Sequence, residues 1–148
     1  LGDVYKRQVL GPLLGEQPQQ LLVANRTPAN AQELAQQFSH LGNISGCGFN
    51  GLETQTFDII INATSASLHG ELPPLPTSVI NETSICYDMM YAAEDTVFMQ
   101  WAKKHGAQKS IDGLGMLVEQ AAESFFIWRG VRPNTTAVIE LIRQGLKA

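Results

Sequence analysis

"LLVANRTPANAQELAQQF" occupies residues 21–38 and holds a whole supersecondary unit. Leu21–Ala24 is a four-residue apolar run, Asn25-Arg26-Thr27 is a polar break, and Ala31, Leu34, Ala35 and Phe38 then recur at helical spacing. An apolar strand that turns directly into a helix is one βα step of an α/β protein. The break also puts a cation, Arg26, at the carboxyl end of the strand and the start of the helix. The helix dipole disfavours positive charge there, so the position makes better sense beside a bound anion.

The same alternation continues outward. Residues 57–63, "FDIIINA", are nearly continuous apolar sequence rich in isoleucine, as expected of a strand covered on both faces. Residues 84–87 read as a further strand ending in Asp88. Val97, Phe98, Trp101 and Ala102 form one face of a helix stopped by Gly106, and a short strand is expected around residues 107–110. Leu114, Val118, Ala121, Phe125 and Trp128 step by three and four, giving a long helix that ends at Gly130. Pro133 and Asn134 start a last helix with the stripe Val138, Ile139, Leu141, Ile142 and Leu146. Upstream, "VLGPLL" (residues 9–14) reads as another helix, and the Pro-rich "ELPPLPTS" (71–78) as a surface loop. Together these predict an open, doubly wound, mostly parallel sheet with flanking helices.

The 148 residues suit one domain, and 44% hydrophobic with 16% charged residues is ordinary for a globular protein. A net charge of -4 and a pI near 5.3 argue against a nucleic-acid surface. No Lys/Arg run suits an anionic membrane, and no apolar run is long enough to span a bilayer. No secretory signal is visible at residue 1, which implies a cytoplasmic protein, so the sequons at Asn25, Asn43, Asn62, Asn81 and Asn134 are read as chance matches. Cys47 and Cys86 lack metal-ligand spacing, and His40, His69 and His105 are scattered, so no metal site is expected.

In such sheets ligands bind outside the carboxyl ends of the strands. Here those ends are polar or small: Asn25-Arg26-Thr27, Asn62-Ala63-Thr64-Ser65 and Asp88-Met89. They are expected to line one crevice. A literal GxGxxG, Gly46 to Gly51, is rejected as the dinucleotide turn, because too few residues follow it for a crossover helix. It reads instead as a glycine-rich loop or short edge strand. The phosphate turn should precede the helix at 9–14, yet residues 1–8, "LGDVYKRQ", offer only Gly2. This octet is read as foreign sequence on a chain truncated near Val9, with the first strand and the Gly-rich turn missing.

Four motifs, "NRT" (25–27), "INATS" (61–65), "YDMMY" (87–91) and "DGLGMLVEQAA" (112–122), then stand in an order and spacing that resemble the C-terminal, NADP-binding half of shikimate dehydrogenases. The resemblance covers residues 9–148. It implies that Arg26 holds the 2′-phosphate of NADP, where NAD enzymes place an acidic residue on the ribose. A guanidinium pairs bidentately with phosphate and stacks on adenine, and Asn25 and Thr27 add polar contacts. The family often carries a second Arg where this chain has Asn30. The clamp at Asn30 is therefore weaker and the preference for NADP over NAD smaller.

The resemblance further implies that Ala63, Thr64 and Ser65 line the cofactor crevice, although Ser67 replaces a usual Gly there. The main chain at Met89 and Gly113 would face the nicotinamide, and Tyr91 and Gln120 would hydrogen-bond shikimate. Asp112 is expected to cap the following helix, and Asp88 to fix local backbone. The implied reaction is reversible reduction of 3-dehydroshikimate to shikimate by NADPH. In the family a Lys and an Asp of an N-terminal substrate domain handle the proton. Lys103, Lys104, Lys109 and Lys147 do not match that motif, so the chain alone is expected to be inactive. The last helix is expected to pack toward the missing domain, and the resemblance is compatible with a homodimer in the intact parent. An NAD-preferring quinate/shikimate dehydrogenase, a related domain of glutamyl-tRNA reductase and a non-catalytic nucleotide-binding module remain as alternatives.

Overall fold

A computed structural model describes residues 2–64, 66 and 70–146, with side chains from residue 8 onward. The chain divides into two compact units, Leu1–Asp58 with Pro73–Asn81, and Ile59–Leu72 with Glu82–Ala148.

The first unit contains α1 (Gly2–Gly15), β1 (Leu21–Ala24), α2 (Pro28–Phe38) and β2 (Ile44–Cys47). β1 and β2 run parallel, with Leu21 opposite Ile44 and Ala24 opposite Cys47. The helix at 9–14 therefore exists but is longer than expected. The rejected glycine motif begins inside β2 and enters a single 3-10 turn, Phe49–Leu52, with no crossover helix after it. Gly46 owes its place to packing: a Cβ there would lie 2.2 Å from the carbonyl oxygen of Ala31. That close approach lets α2 bury Ala31 and Ala35 directly on the strand pair.

The second unit contains β3 (Ile59–Asn62), β4 (Ile85–Asp88), α3 (Val97–Lys104), β5 (Lys109–Ile111), α4 (Leu114–Arg129) and α5 (Thr135–Leu146). Its three strands are parallel in the order β3-β4-β5, with Ile59 opposite Ile85 and Ile85 opposite Lys109. Cys86, Phe98, Ala102 and Leu114 form its solvent-free centre. Thr96 caps α3 by accepting the N–H of Met99, and Gly130, at φ 70°, ends α4 in the left-handed conformation that glycine tolerates. Asn134 begins α5, its side-chain oxygen accepting the N–H of Thr136 at 3.1 Å.

The α/β class, the parallel strands and the flanking helices all agree with the sequence reading, but among the described residues the strands pair as two sheets, β1-β2 and β3-β4-β5, rather than as one. One stripe does not agree. On α4 the buried face is Leu114, Val118 and Ala122, whereas Phe125 is 45% and Trp128 78% exposed. The C-terminal half of α4 is apolar on several sides, so spacing alone does not select the inward face. α5 likewise buries no residue fully. Among the described residues no helix is long and apolar enough to cross a membrane.

Candidate functional site

In the first unit the site is the turn from β1 into α2. The backbone N–H of Asn25 donates to Cys47 O at 3.1 Å, continuing the ladder beyond Ala24. Its side-chain oxygen then accepts the N–H of Thr27 at 3.0 Å, a local turn that asparagine favours. Thr27, extended at φ -101° and ψ 104°, precedes Pro28 at the first helical position, and no side chain caps the helix. Arg26, Thr27 and Asn30 are exposed, and among the described residues no carboxylate pairs with Arg26. A guanidinium without an ion-pair partner thus stands beside the uncapped amino end of an eleven-residue helix. That donor set suits a phosphate group. The side-chain oxygen of Asn25 serves the turn, and its amide nitrogen is the donor it could offer a phosphate.

In the second unit the carboxyl ends of β3 and β4 are joined by a buried polar network. Asn62 accepts the N–H of Thr64 at 3.1 Å and its hydroxyl at 2.8 Å, and donates to Asp88 at 3.2 Å. Asp88, with no exposed surface, also accepts the N–H of Met90 at 3.0 Å and the hydroxyl of Thr96 at 2.6 Å. Asp88 therefore fixes local backbone, as its place after an apolar strand suggests. Sequence reasoning missed Asn62 and Thr96 as its partners, because the network joins positions 26 and 8 residues away. The hydroxyl of Thr64 also accepts the N–H of Ala66 at 3.3 Å and so is tied into its own turn. Ala63 is half-buried beside it, and Ser65 and Ser67 lie outside the described residues.

Met89 and Gly113 are brought together. The N–H of Gly113 donates to Met90 O at 3.0 Å, and a Cβ on Gly113 would lie 2.1 Å from Met89 O. Close approach of its own chain thus explains this glycine. Tyr91 follows on the same loop with an exposed ring, and Gln120 faces solvent on α4.

Asp112 differs from the expected cap. Its oxygen is 3.4 Å from the N–H of Leu114, a long bond. The shorter bonds come from α5: Arg143 Nη2 donates to Oδ1 at 2.7 Å and Nη1 to Oδ2 at 2.6 Å. The hydrogen bond with Asp112 raises the Arg143 pKa still further. Burial, and then the charge of Asp112, raise that of Tyr87. Burial also pushes the Cys86 thiol up to about 11, which marks it as unreactive.

Two family models match the chain. That of shikimate / quinate 5-dehydrogenase matches residues 5–70, and that of the shikimate 5'-dehydrogenase C-terminal domain matches residues 113–146. The shikimate dehydrogenase (NADP(+)) of Cellvibrio japonicus is 55% identical over 140 residues, which are 95% of this chain and 51% of the relative. Among solved structures, an Ael1 enzyme from Pseudomonas putida superposes with a TM-score of 0.79 at 45% identity, over 88% of this chain and 48% of its own. The shikimate 5-dehydrogenase of Thermus thermophilus, in complex with NADP(H) and shikimate, gives 0.74 at 28% identity, over 93% and 50%. The chain spans about half the length of the curated relatives it matches. Matched by two models of one enzyme family and by curated relatives over 95% of its length, the chain belongs to the shikimate dehydrogenase family.

Proposed function

We propose that this chain is the NADP-binding half of an NADPH-dependent shikimate dehydrogenase. The observation that carries the reading is Arg26, exposed and, among the described residues, without a carboxylate partner beside the amino end of α2. In this reading its guanidinium grips the ribose 2′-phosphate, with Thr27 and the Asn25 amide as smaller contacts. Asn30 adds a polar contact in place of a second charge.

When bound, the coenzyme supplies a hydride to the carbonyl carbon of 3-dehydroshikimate, and the resulting alkoxide takes a proton to give shikimate. The residues of this chain bind and orient. Ala63, Thr64 and Ser65 shape the crevice after β3, the main chain of Met89 and Gly113 backs the nicotinamide, and Tyr91 and Gln120 hold substrate oxygens. The Lys and Asp that move the proton belong, in this reading, to a substrate domain upstream of residue 9. The exposed Phe125, Ile127, Trp128 and Leu141 of α4 and α5 are read as the surface that faces this domain. The edge of β1 opposite β2 has no strand partner among the described residues, and we read it as the seat of the missing first strand. A cytoplasmic location accords with the two free cysteines.

The test uses the intact parent with Arg26→Ala. Loss of a bidentate charged contact of about 1.5–3 kcal/mol should weaken NADP binding roughly 10- to 100-fold, and NAD binding only by the few-fold that a lost stack on adenine costs. Equal NADP affinity in both proteins refutes the assignment. The 148-residue chain alone should show no shikimate-dependent NADP reduction, and turnover above background refutes that part.

A further inference from the structure

α5 reaches the site through one side chain. Arg143 Nη1 donates to Asp112 Oδ2 at 2.6 Å and to Ala92 O at 3.2 Å, while Nη2 donates to Asp112 Oδ1 at 2.7 Å. Asp112 immediately precedes Gly113, and Ala92 immediately follows Tyr91. One planar group therefore ties the loop after β4 to the turn after β5. Those two segments already meet at Gly113 N–H and Met90 O, and their approach is so close that no Cβ fits between them.

The geometry points to Arg143 as a positioning residue for hydride transfer, an inference that rests on the reading of Met89, Tyr91 and Gly113 given above. In this inference it acts through Asp112 and Ala92, the two groups it bonds. Its bidentate bond to a carboxylate that is only 8% exposed fixes the orientation of Asp112, and hence of the next peptide, Asp112–Gly113. The bond to Ala92 O holds the other loop in register. A lysine offers one mobile ammonium in place of a rigid fork and cannot reproduce the two-nitrogen bidentate pairing with Asp112. The arrangement also ties α5 to the loop after β4 and to the turn after β5.

The intact parent tests this with Arg143→Ala and Arg143→Lys, assayed for shikimate oxidation per NADP-binding site so that unfolded protein is not counted. Misplacing the reacting face by a fraction of an ångström to about 1 Å should lower kcat roughly 10- to 100-fold in both variants. KM for NADP should stay near the parental value, because Arg26 lies elsewhere. Added guanidinium ion should restore part of kcat in Arg143→Ala, and the deuterium isotope effect with shikimate labelled at the reacting carbon should rise. Should Arg143→Ala not fold, Arg143→Lys carries the same comparison. Parental kcat per site in Arg143→Lys, or a loss confined to KM for NADP, overturns the inference. A parent with no shikimate-dependent NADP reduction overturns the functional assignment instead, and this inference with it.

Discussion

Gly113→Ala isolates space from conformation. Gly113 sits at φ -80° and ψ 1°, which any L-residue adopts, so alanine incurs no backbone strain of its own. The new Cβ, however, would stand 2.1 Å from Met89 O, 2.6 Å from its carbonyl carbon and 3.2 Å from its Cα. All three are main-chain atoms, so no rotamer change relieves the clash. Cβ atoms essentially never come within 3.0 Å of another heavy atom, and the turn must therefore retreat by roughly 0.9 Å. That displacement stretches the 3.0 Å bond from Gly113 N–H to Met90 O out of range. Adding a lost buried hydrogen bond to an overpacking cost gives about 2–4 kcal/mol of destabilisation. Urea unfolding of the intact parent and its variant measures this directly. If the two segments also back the nicotinamide, kcat should fall about 100-fold, since the shift is near 1 Å. An unchanged urea midpoint together with parental kcat refutes the reasoning, for it would mean the two segments part without cost.

Two further outcomes follow from buried groups. Asp88→Ala removes the acceptor for Asn62, Met90 and Thr96 and should cost about 3 kcal/mol in urea unfolding. A loss below about 1 kcal/mol would show that the network carries little of the stability. Burial raises the Cys86 thiol from 9.0 to about 11 in the folded state. Its contribution is whole below the unfolded value near 9 and is lost as pH rises toward 11, amounting to about 2 kcal/mol. Unfolding free energy measured from about pH 8 to 11 should therefore fall in the parent, with a smaller fall in Cys86→Ala; equal slopes refute the assignment.

Local signals made much of the fold legible. β1 and α2 declare themselves because a short apolar run, a polar break and helical spacing all lie within eighteen consecutive residues. The glycine motif at residues 46–51 could be set aside from its neighbours alone, since the chain from Gly51 to β3 is too short for a crossover helix. β2 was harder to read. "ISGC" alternates weakly and contains a glycine that costs strand stability, and it becomes a strand because Gly46 lets α2 press against it. The buried face of α4 was not legible either. Leu114, Val118, Ala121, Ala122, Phe125 and Phe126 supply apolar residues to more than one stripe, and only the folded structure selects Leu114, Val118 and Ala122 for burial.

For the site, the sequence by itself determined which residue types stand at three strand ends: Asn25 to Thr27 at β1, Asn62 to Ser65 at β3 and Asp88-Met89 at β4. It could do so because a strand's end is a local property of composition. Only the tertiary structure decided that Asp88 joins Asn62 to Thr96, that Gly113 is glycine because Met89 O occupies the space of its side chain, and that Arg143, 31 residues beyond Asp112, closes the turn. Hydrogen bonds and close contacts of this kind depend on distances between elements remote in the chain, and no spacing along the chain encodes them.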